Sequence, residues 1–201
     1  PDPGKWVTIR PQVAGRWVWL GTAAAGFRAE KGFLPSTEYT LEVKAGWPDA
    51  VGVALAQGTV VKFNTIKPAL MSVQPLNGAT DVYLDTPLVA RFNMPMDRAS
   101  VQKAFTPHRD DRSVMLPGAF TWSDDSTTLT YTLSSLLDFG QRYSVLIGGQ
   151  VRAATGNPTE LAGGPQANNW SFSTTGTTRV TNHYPDSSGQ VAPSSGFGFK
   201  W

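Results

Sequence analysis

Internal repetition constrains this chain more than any other feature, because a unit that recurs along one polypeptide must find its core partners within a short stretch of sequence. The stretches "VAGRWVWLGTAAAGFRAEKGFLPSTEYTLEVKAG" (13–46) and "PGAFTWSDDSTTLTYTLSSLLDFGQRYSVLIGG" (117–149) are two versions of one pattern. Gly15 falls on Gly118 and Trp19 on Trp122; after a slip of one residue, Phe27 falls on Tyr131 and Tyr39 on Tyr143. Farther on, "VKFNT" (61–65) matches "WSFST" (170–174), which sets Phe63 on Phe172 and the period at 109 residues. A third version opens near the C-terminus. There "YPDSSGQVAPSSGFGFKW" (184–201) lies on "QPLNGATDVYLDTPLVARF" (74–92) with one residue fewer, placing Val191 on Val82, Phe197 on Leu88, Phe199 on Ala90 and Trp201 on Phe92. The expected organisation is the C-terminal part of a first domain (1–67), a complete domain (68–176), and a linker with the first strands of a third (177–201).

Within the complete copy, strands are expected at 70–74, 80–84, 87–93, 103–106, 117–123, 127–133, 142–148 and 168–174. "TLTYTL" puts Leu129, Tyr131 and Leu133 on one face and threonines on the other, and "RYSVLI" does the same with Tyr143, Val145 and Ile147. Such period-2 alternation, broken by turn signals such as "NG", "SDDS", "DFG" and "TGNP", marks antiparallel strands with one buried face. Long Leu/Ala/Glu/Lys segments are missing, whereas Thr, Val, Gly, Pro and aromatic residues are abundant, which favours strands over helices. The fold class is therefore all-β: tandem Ig-like antiparallel β-sandwiches, one partial, one complete and the start of a third. Leu88, Phe92, Trp122, Leu129, Tyr131, Tyr143, Val145 and Phe172 are the expected core of the complete one.

"RFNMPMDRAS" (91–100) marks a corner. Pro95 donates no ladder hydrogen bond and ends the strand, Asn93 and Asp97 are suited to bond nearby backbone, and Met94 or Met96 to plug the end of the sandwich. "DRASVQKAF" is expected to form one helical turn capped by Asp97. Pro75, "RFNMPMD" (91–97), Trp122, Leu129, Tyr131, Leu136, Gly140, Tyr143, Gly156-Asn157 and Phe172-Ser173-Thr174 together resemble the bacterial Ig-like domain of S-layer proteins. Residues 9–46 are similar to Ig-like domains near the N-terminus of bacterial alpha-2-macroglobulin-like proteins, large periplasmic or surface-anchored protease traps. That resemblance implies an exported parent protein, in the periplasm, at the cell surface or outside the cell. The trap's thioester requires a cysteine, and this chain has none.

The absence of cysteine excludes disulfides, thiolate metal sites and a cysteine nucleophile. A net charge of +2 without a basic cluster argues against nucleic-acid binding. No apolar run approaches the roughly 18 residues of a membrane-spanning helix. The chain begins at Pro1 with no signal-peptide pattern, so the gene's own start is expected upstream. His108, Asp110 and Asp111 in "PHRDDRS" have the residue types of metal ligands, but Arg109 and Arg112 oppose a cation, and a solvated loop is expected. Asp124-Asp125 are first of all a hairpin turn and only secondarily a calcium candidate, and His183 is expected in a linker. No catalytic motif is visible, so no enzyme activity, catalytic residue, metal or cofactor is expected.

What remains is a structural and interaction role. Parity puts Trp17 and Trp19 on one inward face. Trp47, in a loop between Gly46 and Pro48, and Trp6 are the candidate partner-binding aromatics. Phe197, Phe199 and Trp201 alternate along "GFGFKW" and form a second candidate surface. Because the first repeat lacks this strand, it is expected to meet protein outside its own repeat: either a neighbouring copy or the remainder of the third domain. Expected partners are thus other domains of the same polypeptide or neighbouring copies, and, through the parent, proteases or cell-surface polymers. Three functional readings follow: a structural segment of an alpha-2-macroglobulin-like inhibitor or S-layer-like protein, a carbohydrate- or protein-binding adhesin module, and an accessory domain of a secreted hydrolase.

Overall fold

The computed structural model describes residues 2–21, 24–49, 51–112, 114–177, 182–184 and 198–200. In the first repeat, a 3-10 turn at Pro3–Lys5 leads into β1 (Val7–Arg10), β2 (Gly15–Trp19), β3 (Ala25–Ala29), β4 (Glu38–Val43) and β5 (Thr59–Asn64). The second repeat contains β6 (Leu70–Gln74), β7 (Ala79–Val82), β8 (Leu88–Phe92), helix α1 (Arg98–Ala104) and β9 (Phe105–Arg109). It continues through β10 (Gly118–Trp122), β11 (Thr128–Leu133), β12 (Arg142–Ile147), a short helix α2 (Gly164–Ala167) and β13 (Asn169–Thr174). Two three-residue strands, β14 (Asn182–Tyr184) and β15 (Gly198–Lys200), follow.

The second repeat is a sandwich of two four-stranded sheets, ordered β10-β11-β8-β6 and β7-β13-β12-β9; all its pairings are antiparallel except β7 with β13. Alternation fixes its core. Leu88, Ala90 and Phe92 from β8 and Leu129 and Tyr131 from β11 face Tyr143, Val145 and Ile147 from β12 and Trp170 and Phe172 from β13. Every expected core residue is buried except Trp122, which is half-buried against Phe92 with ring centroids 6.2 Å apart. One expected strand is displaced. Residues 103–104 belong to α1, and the strand runs instead over Phe105–Arg109, because Asp97 caps the helix from the Ser100 N–H and the helix then continues to Ala104.

The described part of the first repeat reproduces five of these eight strands, β9 to β13, in the same register. Trp17 pairs with Phe27 and Trp19 with Ala25, as Phe120 pairs with Tyr131 and Trp122 with Leu129. Tyr39 pairs with Phe63 as Tyr143 pairs with Phe172. The side-chain hydrogen bonds recur too. Tyr39 Oη accepts from the Leu34 N–H at 3.0 Å, and Tyr143 Oη from the Asp138 N–H at 2.9 Å. Thr65 Oγ1 donates to Leu34 O at 2.6 Å and accepts from the Thr37 N–H at 3.0 Å; Thr174 Oγ1 does the same with Asp138 O and the Gln141 N–H at 2.6 and 3.0 Å. Such threonine–backbone bonds satisfy polar groups that the sandwich end would otherwise strand without partners. Among the described residues, the first repeat has sheet β1-β4-β5 and hairpin β2-β3, and no counterparts of β6, β7 and β8.

Candidate interaction surfaces

The corner at residues 93–97 is where the two repeats are joined. The Asn93 N–H donates to Ala69 O at 3.1 Å, its Oδ1 accepts from the Ala69 N–H at 2.8 Å, and its Nδ2 donates to Lys67 O at 3.1 Å. From the other side of the linker, the Ala162 N–H donates to Pro68 O at 2.8 Å. The loop carrying Gly156-Asn157 reaches the first repeat: a Cβ on Gly156 would stand 3.4 Å from Pro35, and Asn157 Nδ2 lies 3.5 Å from Thr37 Oγ1. Met96 is fully buried and bridges Ala153, while Met94 packs against the core. Asp97 accepts from the Ser100 N–H at 2.9 Å and from Arg152 at 2.7 Å, and the Arg152 hydrogen bond, more than any other contact, holds its carboxyl below the ordinary value.

"PHRDDRS", read as a solvated loop, begins inside β9, where the ladder with β12 pairs His108 with Ser144 and Arg109 with Tyr143, and its carboxylates are engaged by arginines. Asp111 pairs with Arg109, which also binds Asp138 at 2.6 Å; Asp110 binds Arg142 at 3.1 Å and accepts from the Ser144 hydroxyl at 2.6 Å. His108 Nδ1 lies 3.4 Å from Thr106 O. Asp125 is occupied within its turn by the hydroxyls of Ser123 and Thr127 and the Thr127 N–H, which lower its pKa. Among the described residues no group of three or more His, Asp or Glu side chains is placed to hold a metal ion. His183 is in strand β14, opposite Phe199, and not in a linker.

Of the candidate aromatics, Trp47 lies in its expected loop, and both it and Trp6 are partly covered. Trp47 is half-buried beside Trp19, with ring centroids 6.4 Å apart, and Trp6 is half-buried against Gly46, where a Cβ would meet its ring at 3.4 Å. The loop around Trp47 is a small hairpin: Gly46 and Leu55 exchange backbone bonds with Leu55 and Trp47, and Asp49 accepts from the N–H groups of Val51 and Val53. Trp19, read as inward, is 46% exposed. Its counterpart Trp122 is stacked on Phe92 of β8, and the described residues of the first repeat include no counterpart of β8. Val51 and Val53 at the hairpin tip are 85% and 66% exposed, an apolar surface that the alternation in "VGVAL" signals only weakly. Phe199 lies in β15; Phe197 and Trp201 fall outside the described residues.

With the geometry in place, residues 64–174, more than half of the chain, match the family model described as a bacterial Ig-like domain. The chain belongs to the bacterial Ig-like domain family. Among solved structures, the N-terminal part of the bacterial S-layer protein SbsC is 22% identical, with a TM-score of 0.39 over 54% of this chain and 23% of that one. The L,D-transpeptidase LdtMt1 in complex with imipenem is 23% identical, with a TM-score of 0.38 over 54% of this chain and 40% of that one. An L,D-transpeptidase from Mycobacterium smegmatis is 22% identical, with a TM-score of 0.37 and the same coverages. The match therefore spans less than half the length of each of these proteins. No curated protein matches it. No helix among the described residues is long and apolar enough to cross a membrane.

Proposed function

We propose that this chain is a non-enzymatic structural segment of a larger exported bacterial protein, in which Ig-like repeats are held at a set spacing to present or assemble neighbouring domains. The observation that carries this reading is the junction: the linker is bonded on one side by Asn93 and on the other by Ala162, and the Gly156-Asn157 loop rests on Pro35 and Thr37. A swivelling linker needs none of these bonds, whereas in a spacer that transmits position each of them restrains the linker. An alpha-2-macroglobulin-like inhibitor or an S-layer-like surface protein is the kind of parent that such a spacer suits. The role of accessory domain to a secreted hydrolase draws on the same rigidity. The adhesin reading has less support, because Trp47 and Trp6 are half-buried against Trp19 and Gly46.

The chain has no cysteine, so spin labels go only where they are introduced. Glu30 and Ser134 are exposed and occupy equivalent turns, each donating its N–H to the start of the preceding strand pair, at Ala14 O and Pro117 O. Labels at Glu30→Cys and Ser134→Cys should give one narrow distance distribution by pulsed electron paramagnetic resonance. A broad or bimodal distribution would remove the basis for a spacer.

A further inference from the structure

The chain enters the second repeat at one end of the sandwich and leaves it at the other. Strand β6 begins beside Phe92, next to the junction, and runs away from it to Gln74 beside Val89. Residues 75–78 cross to the other sheet, where β7 pairs in parallel with β13, Ala79 with Phe172 and Val82 with Thr174. The turn at 83–87 joins the end of β7 to the start of β8, so Val82 and its partner Thr174 stand at the far end, away from the junction. A pull on the entry and exit of this repeat therefore draws β6 lengthwise past β8, and β7 lengthwise past β13. Ladder hydrogen bonds lie across the strands, so in this geometry all the bonds of a pair resist together. Prying a hairpin apart at its open end breaks them one at a time.

Both attachment points are bonded into these ladders. At the entry, Asn93 binds Lys67 and Ala69 and so extends the β6-β8 ladder back into the linker. At the exit, the Thr174 N–H donates to Gln141 O at 2.9 Å and the Thr175 N–H to Val82 O at 3.0 Å, while Thr175 O accepts from the Gly140 N–H at 2.8 Å. The β7-β13 ladder also reaches beyond β7. In the "NG" turn signal, Asn77 Oδ1 accepts from the Ser171 N–H at 3.0 Å, and the Gly78 N–H donates to Ser171 O at 2.7 Å. The asparagine side chain stands in there for a backbone carbonyl, and Gly78, at φ +81°, supplies the left-handed turn. Asp81 bulges out at φ +56°, and pairing resumes at Val82. Asn77 is exposed, so what it adds is this bond rather than packing.

We infer that the second repeat carries tension along the chain, with β6-β8 and β7-β13 forming a shear clamp between its entry and its exit. The use of such a clamp rests on the reading of the chain as a segment of a longer protein; the clamp itself does not, and a swivelling junction would leave it intact. The test is single-molecule force spectroscopy of the full-length chain, which has no cysteine of its own, pulled between introduced pairs. Lys67→Cys and Gly176→Cys, at exposed positions, direct the force along the chain, and a Cβ at Gly176 meets nothing within 4 Å. Pro117→Cys and Ser135→Cys, also exposed, open hairpin β10-β11 from its free end. At one pulling speed, the rupture force along the chain should be several-fold higher than across the hairpin, and Asn77→Ala should lower it. Ser123→Ala removes a bond of the same kind outside the clamp, the one its hydroxyl accepts from the Thr128 N–H at 2.9 Å. It should lower the urea midpoint and leave the force along the chain unchanged, because forced unfolding follows the rate at which the clamp breaks and not the overall stability. A force along the chain no higher than across the hairpin would overturn the proposal, and so would a loss of force in Asn77→Ala no larger than in Ser123→Ala.

Discussion

Tyr143 shows how much one hydroxyl decides. Its ring is buried and stacks on Phe172, and its Oη is the partner of the Asp138 N–H at the end of the sandwich. Tyr143→Phe keeps the ring and leaves that N–H without a partner, so it should cost about 1–2 kcal/mol in urea unfolding, with an unchanged slope. Asp97 sets a pH dependence at the same scale. Its pKa is held below the ordinary value of 3.8 in the folded chain, so it contributes stability that is present above that value. That stability is lost as pH falls through the lower, folded pKa. Asp111 and Asp125 are shifted the same way and add to the acid limb. Melting temperature measured against pH should therefore drop in the acid range, and the drop should be shallower in Asp97→Asn than in the parent chain.

At the scale of elements, the hairpins β2-β3 and β10-β11 owe their form to a glycine in the first position. A Cβ on Gly118 would stand 2.6 Å from Thr132 O and 2.6 Å from the ring of Tyr131; on Gly15 it would stand 2.5 Å from Arg28 O and 2.5 Å from the ring of Phe27. The aromatic ring lies over the glycine in both repeats, and one contact is with backbone, which cannot turn aside. Gly118→Ala should therefore destabilise the second repeat by about 1–3 kcal/mol, read from its urea midpoint. The paired tryptophans separate in the same way. Trp122 is stacked on Phe92, whereas Trp19 is 46% exposed, so Trp122→Ala should cost several-fold more than Trp19→Ala.

At the scale of the whole molecule, the junction rests on few bonds, and Asn93 makes three of them. Asn93→Ala retains the backbone bond to Ala69 and removes the two side-chain bonds to Ala69 and Lys67. The distance distribution between labels at positions 30 and 134 should broaden, while circular dichroism of the folded chain remains unchanged. If the distribution keeps its width, the loop contacts at Pro35 and Thr37 hold the repeats in place without Asn93.

The strands, their inward faces and the correspondence between repeats were legible in the sequence, because each rests on alternation within five or six residues and on turn residues beside them. The aligned pairs Gly15 and Gly118, Trp19 and Trp122, and Tyr39 and Tyr143 prove to be equivalent in register as well. Asp97 as a helix cap was legible for the same reason, since its partner is three residues away. Tertiary structure decided what depends on distant partners. Asn93 bonds backbone more than twenty residues back, and Asp110 meets Arg142 across a sheet, so neither bond has a local signature. Trp19 has the parity of a core residue, yet parity specifies only a direction. Whether a side chain is buried depends on what packs against it, and among the described residues no counterpart of β8 packs against Trp19 as Phe92 of β8 packs against Trp122.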